Sequence, residues 1–287
     1  MNDSAAQQKP SYVVVGCGRV GTSLARYLSL AGYRPEAMVS RSAVSAERAA
    51  QLSGATRCGT DPERYTAKAG LVLITTPDGA IEDTCRRIAD RRGFAADSVV
   101  LHCSGALSSM ILAPARESGA FVGSLHPLQS FASREPESNP FEQIILAVEG
   151  DTAALATAEA VARDLGGRSL RVKTEGKALY HAAAVVASNY LVSLLDMAFS
   201  FLASAGIPED RAPEILAPLI EGTLANTRRL GPPRALTGPV ARDDHQTVLR
   251  HLEEIRRFQP KLATLYIALG KHTVDVARRG GHLTPES

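Results

Sequence analysis

Apolar and polar positions divide this chain in two. As far as Val172, short apolar runs alternate with helical periodicities. Residues 12–15 (YVVV), 36–40, 55–59 (a weak signal), 71–75, 98–102, 121–125, 144–148 and 169–172 read as strands. Between them, Val20, Leu24 and Leu28 mark one helix and residues 43–52 a second. A third runs from an Asp78 cap through Arg92, and another covers residues 152–165. Residues 71–75 (LVLIT) are almost continuously apolar, as a parallel strand buried on both faces must be. Strands alternating with helices predict an α/β domain with a doubly wound parallel sheet. The segment 127–143, rich in Ser, Glu and Pro, reads as a loop over a site or as a long crossing connection, the latter favoured.

From Thr174 onward the pattern is helical. Residues 176–205 read as one long helix, ended by Gly206 and Pro208, and 208–230, 244–258 and 261–279 read as three more. No strand candidate remains, so an all-α domain (174–287) follows the α/β domain (1–173). The long helix is apolar nearly all round. Within 181–206 the only formal charge is Asp196, but Ser188, Asn189, Ser193, Ser200 and Ser204 favour a buried bundle helix over a membrane span. Such a helix needs burial on more than one side, which a homodimer packed across a two-fold axis would give.

Composition narrows the function. The chain has 287 residues, is 45% hydrophobic and 22% charged, and has a formal net charge of +2. Lys and Arg are dispersed, tryptophan is absent and aromatics are 5%, so neither nucleic acid nor an anionic membrane is an expected partner. Cys17, Cys58, Cys85 and Cys103 form no C-x-x-C pair and read as reduced, buried apolar side chains. The polar opening, 1–9, lacks the apolar core of a signal peptide. A cytoplasmic protein acting on a small molecule is the expectation.

The first strand runs into Gly16-Cys17-Gly18-Arg19-Val20-Gly21 and then a helix, the strand, glycine turn and helix that bind a pyrophosphate. Gly16 permits the turn, Gly18 lets the backbone approach phosphate, and Gly21 lets helix and strand pack closely. The helix N-terminus offers N–H groups to the anion. Where an NAD site carries an acid at the end of the second strand, this chain has Ser40-Arg41-Ser42. Arg41 can fork onto a 2′-phosphate with the two hydroxyls beside it, so NADP(H) is the expected cofactor. Thr76 and Pro77 would line it.

Ligands of such a sheet gather at the carboxyl ends of the strands, where His102, Ser104 and His126 fall. Either histidine alone could simply cap a strand. Both at one edge suggest contact with substrate or nicotinamide. Lys177 and His181 lie four apart at the start of the long helix, about 6 Å along the axis and about 40° round it, and so share a face. Hydride delivery to C=O or C=N builds charge that needs a proton donor or fixed cation. Lys177 suits that role, with His181 as partner or alternative acid. Asn189 lies about 18 Å beyond Lys177, too far to share its ligand atom, and reads as structural or as part of a subunit contact. Thr237 and Arg242, in a Gly-Pro turn capped by Asp243 or Asp244, could bind a substrate carboxylate. No metal-spaced His/Cys set and no G-x-S-x-G elbow stands out.

The segments GCGRVG, TTPD, LHCSGALS, SLHPLQSF, GKALYHAAAVVASNYL and ALTGPVARDD resemble those of predicted oxidoreductases with a Rossmann-like N-terminal domain and a helical C-terminal domain of unknown function. The resemblance spans nearly the whole chain. It implies an NADPH-dependent reductase, since some members are alternative ketopantoate reductases. More distantly the plan is similar to β-hydroxyacid dehydrogenases, ordinary ketopantoate reductases and pyrroline-5-carboxylate reductases. In the first two a lysine opens the long helix and an asparagine follows four residues later; here these positions are Lys177 and His181. The family's turn has glycine after the arginine, where this chain has Asp243. The leading expectation is reduction of a small 2-keto acid or related carbonyl. The alternatives are an imine reductase of pyrroline-5-carboxylate type and a non-catalytic NADP(H)-sensing dimer.

Overall fold

The computed structural model describes residues 9–133 and 135–284; the polar opening 1–8 lies outside them. Two compact units divide the chain, Met1–Ser188 and Asn189–Ser287. In the first, an eight-stranded sheet is built from β1 (Ser11–Val15), β2 (Arg34–Val39), β3 (Cys58–Gly59), β4 (Leu71–Ile74), β5 (Val99–His102), β6 (Phe121–Pro127), β7 (Ile145–Gly150) and β8 (Arg168–Arg171). The order is β3-β2-β1-β4-β5-β6-β7-β8, parallel except between β6 and β7. The α/β, doubly wound expectation holds, and each expected strand is present to within a few residues.

Successive strand residues face opposite sides of a sheet, so an apolar run buried throughout feeds two cores. Tyr12 and Val14 enter one, with α1 (Arg19–Leu30), α2 (Ala43–Ser53) and α5 (Thr152–Asp164). Val13 and Val15 enter the other, with α3 (Ile81–Asp90) and α4 (Ala113–Glu117), the latter unsignalled in the sequence. The long segment after Pro127 links β6 to its antiparallel neighbour β7 and buries Phe141 in the first core.

At the end of the first unit, α6 (Lys177–Val185) runs into a π-helical turn (Val186–Tyr190), and α7 (Leu191–Ser204) follows. The second unit continues with α8 (Ala212–Leu230), α9 (Pro232–Ala235), α10 (His245–Phe258) and α11 (Ala263–Arg279). Asp244, of the two candidate caps, caps α10 by accepting from the Thr247 N–H. The continuous helix Thr174–Ser204 is long and apolar enough to cross a membrane by length and composition, and its most apolar window buries none of its residues in the chain. Leu179 (79% exposed) and Val192 (66%) stand out from it. The expected burial is therefore not supplied by one chain alone.

Candidate functional site

A cavity of about 980 Å³ opens where β1, β2 and β4 end, and every residue expected to hold the cofactor lines it except Gly21. Gly16 has φ +110°, and a Cβ there would lie 2.7 Å from the Thr75 carbonyl carbon and the Thr76 nitrogen. Only glycine fits that turn. A Cβ on Gly21 would run into the Gly16 carbonyl and the Thr75 hydroxyl, which bond each other, so Gly21 lies beneath the turn and not on its wall. Gly18 has nothing within 4 Å of where its Cβ would be, leaving its backbone approachable.

What this cavity offers is mostly hydrogen-bond donors. Gly18 caps α1 without a side chain, and neither α1 nor α2 carries an acid in its first turn. Apart from the Ser45 N–H, which meets the Ser42 hydroxyl, the N–H groups of their first turns and their positive dipole ends face an anion site. The Thr76 hydroxyl is buried without a partner. Ser42 accepts from the Ser45 N–H at 3.4 Å as the cap of α2, which leaves its own O–H to donate. Cys17 turns its Sγ to the Val39 carbonyl at 3.4 Å, so its backbone alone can face a ligand. Phosphate oxygens only accept, and the residues present fit a phosphorylated dinucleotide. Gln129 and Phe131 of the β6–β7 connection complete the wall, so that connection also borders the site.

A second cluster lies at the ends of β5 and β6 in the same unit. Lys177, the first residue of α6, is 3% exposed. Its Nζ donates to the Ser104 carbonyl (3.1 Å) and the Ser124 hydroxyl (2.7 Å) and stands 3.8 Å from Glu149 Oε2. The lysine is therefore built in rather than exposed. Burial pushes it down to about 8 against the opposing pull of Glu149.

Glu149 was not legible as a site residue, although it is the lone carboxylate in the strand run ILAVEG. It accepts from the Ser109 N–H (2.8 Å), the Ser109 hydroxyl (2.7 Å), the Thr174 hydroxyl (3.0 Å) and the Ser124 hydroxyl (3.3 Å). Burial alone would raise its carboxyl, but these bonds and the Lys177 charge outweigh that and hold it below the usual range. Asp78 is also placed differently from its expected role. A 3-10 turn (Asp78–Ala80) precedes α3 with Pro77 ahead of it, so Asp78 does not cap the helix. Its carboxylate instead accepts from the Ser104 hydroxyl at 2.8 Å.

Ser104 is held on every side: its N–H donates to His102 Nδ1 (3.1 Å) and its Oγ accepts from the N–H groups of Ala106 and Leu107. His102 is fully buried, its Nε2 without a partner, and burial together with the Lys177 charge pushes it down to about 4. His126 and His181 approach each other, ring centroids 5.6 Å apart, and Gly105 passes beside both. Lys177 and His181 thus share one end of α6, yet Nζ is turned into the sheet edge while His181 lies against Gly105 and His126. Thr237 and Arg242 belong to the second unit. Thr237 lines a cavity there with Thr223 and Asn226, and Arg242 ends a short 3-10 turn. Among the described residues, no group of three or more His, Cys, Asp or Glu could hold a metal.

Comparison with known proteins agrees with this geometry. A Rossmann-like domain model matches residues 1–127, and the domain of unknown function DUF2520 matches residues 144–273. That pairing is the one the sequence motifs resemble. No curated protein matches the chain. Among solved structures, a candidate NADP oxidoreductase from Bacteroides fragilis is 26% identical, with TM-score 0.76 over 93% of this chain and 99% of that one. A Thermotoga maritima protein is 28% identical, with TM-score 0.71 over 93% and 98% of the two chains. A reductive aminase from Aspergillus terreus, solved with NADPH and ethyl-5-oxohexanoate, shares the fold at 18% identity, with TM-score 0.64 over 96% and 95%.

Proposed function

We propose that this chain, which joins a Rossmann-like domain to a DUF2520 domain, is an NADP(H)-dependent oxidoreductase that reduces a small 2-keto acid or related carbonyl. One observation carries the reading: a donor-rich glycine cavity and the Lys177–histidine cluster lie at the same carboxyl edge of one sheet. The strands that run into Gly16 and Thr75, the strand that ends in His102 and the strand that carries His126 next to its end are consecutive neighbours in that sheet. With strands about 4.8 Å apart, the last edge lies about 14 Å from the first. The bound nicotinamide would supply the hydride. Arg41, Ser40 and Ser42 would hold the 2′-phosphate, and Thr76 and Pro77 would border the nucleotide. Lys177 supplies fixed positive charge beneath the Ser104–Gly105 turn, and His126 and His181 stand beside Gly105 to meet the substrate.

Imine reduction is the second reading, favoured by charge. Around Gly105 one lysine faces two carboxylates, Glu149 and Asp78, which suits a cationic iminium better than a second anion. We also infer a homodimer, because the exposed apolar helix Thr174–Ser204 and the sparse interior of the second unit both call for a covering surface. The test is an NADPH titration, then NADPH oxidation against 2-keto acids, ketopantoate included, and cyclic imines. Lys177→Ala should keep nucleotide binding and lose turnover; a wild-type protein that binds NADPH but turns over nothing is the sensor instead. A monomeric mass at micromolar concentration would remove the dimer.

A further inference from the structure

His126, near the end of β6, is held by Tyr180 of α6. The Tyr180 hydroxyl lies 3.0 Å from its Nδ1, and the two rings meet edge to face at 5.7 Å. On the other side of the imidazole, Nε2 faces Gly105, where a Cβ would stand 2.8 Å from it. His181 brings a second ring nitrogen to the same glycine: its Nδ1 is buried, has no partner, and would also collide with that Cβ. A neutral imidazole has one N–H and one lone pair, and the partner at one nitrogen decides which the other presents.

We propose that Tyr180 is a positioning residue: by donating its O–H to Nδ1 it holds His126 as the Nε2–H tautomer, so that the ring gives a hydrogen bond, beside Gly105, to the oxygen of the bond being reduced. This rests on the reductase reading above. The unpartnered His181 Nδ1 faces the same glycine. What the His126 Nε2–H selects is an oxygen that accepts, the oxygen of a small carbonyl compound and of the secondary alcohol it becomes.

The surrounding charges keep both partners in the required state. His181 and Lys177 face His126 from α6, and Asp78 faces it from the turn after β4. Burial, then His181 and Lys177, holds the imidazole down to about 4, so it is neutral near pH 7. Burial raises the Tyr180 phenol, which keeps its proton to donate.

Imidazole nitrogen NMR on the full-length protein tests this without any substrate, comparing wild type with Tyr180→Phe. In the wild type, His126 should show a bare Nδ1 and a protonated Nε2, titrating near its depressed value. In Tyr180→Phe the nitrogens should lose that fixed pattern, and the midpoint should climb by about 0.4–1 unit, the loss of one hydrogen bond to the neutral ring, while burial, His181 and Lys177 still hold it down. A protonated Nδ1 in the wild type, or identical patterns and midpoints in the two proteins, overturns the proposal. Tyr180 does not line the nucleotide cavity. The variant should therefore bind NADPH as tightly as wild type and lose carbonyl turnover about tenfold or more. Full turnover in the variant overturns the role. Failure of the wild type to bind NADPH overturns the reductase reading, whereas the tautomer result stands or falls by itself.

Discussion

Replacing Glu149 by Gln separates the charge of the buried pair from its shape. The carboxylate lies 3.8 Å from Lys177 Nζ, with the two side chains 3% and 4% exposed. At that distance and an effective dielectric of about 20, the attraction is about 4 kcal/mol, worth about 3 units on the lysine. The lysine stands at about 8 with Glu149 beside it; without it, the value drops below neutrality. The penalty then depends on pH, because a lysine that has lost its counter-charge can escape by losing its proton. Near pH 7 the loss is capped by the gap up to about 8, or about 1.4 kcal/mol. Near pH 5 the whole of about 4 kcal/mol is felt, and above about pH 8 almost none, because the folded lysine is then neutral in both proteins. Weaker bonds from Ser109 and Thr174 to an amide add about 1–2 kcal/mol at every pH. Urea unfolding of both proteins across this range should therefore show a stability difference that shrinks as pH rises. A difference independent of pH would mean that Glu149 acts only as a hydrogen-bond acceptor, and the reasoning would fail.

Three further outcomes are expected. Asp243 holds φ +57° in the left-handed region, so Asp243→Gly should relieve strain and raise stability by about 0.5–1 kcal/mol, less what its exposed contact to His245 contributes, read as a shift in the urea midpoint. Arg41→Ala should weaken NADPH binding about 10- to 100-fold while leaving NADH unchanged, the loss of a charge-assisted contact worth about 1.5–3 kcal/mol; equal losses for the two nucleotides would refute the 2′-phosphate role. His102 stays neutral in the fold down to about 4, whereas the unfolded chain takes up a proton near 6.5. Stability present above about 6.5 should therefore be lost as pH falls toward about 4, by about 3 kcal/mol from this group, and His102→Gln should flatten that acid limb.

Much of the sheet edge was legible in the chain because the features that end its strands are local. An apolar run followed by Gly16, by Thr76-Pro77, or by a histidine announces a carboxyl end, and the doubly wound topology then brings those ends together. Glu149 was hidden for a different reason. It follows the apolar run 144–148 directly and precedes Gly150, so locally it reads as the polar end of a strand. Its partners Ser109, Ser124, Thr174 and Lys177 all lie 25 or more residues away along the chain. The antiparallel pairing of β7 with β6 sets it directly across from Ser124, and no local pattern in two buried apolar strands announces that pairing. Asp78 was misassigned because a carboxylate just ahead of a helix has a local acceptor role available. The bond from Ser104, 26 residues on, competes for it and wins. The long helix marks where such reading stops: an apolar surface on all sides specifies how much must be covered and is silent on what covers it. The proposed second copy is therefore tested by a mass in solution and not by any finer reading of Leu179 or Val192.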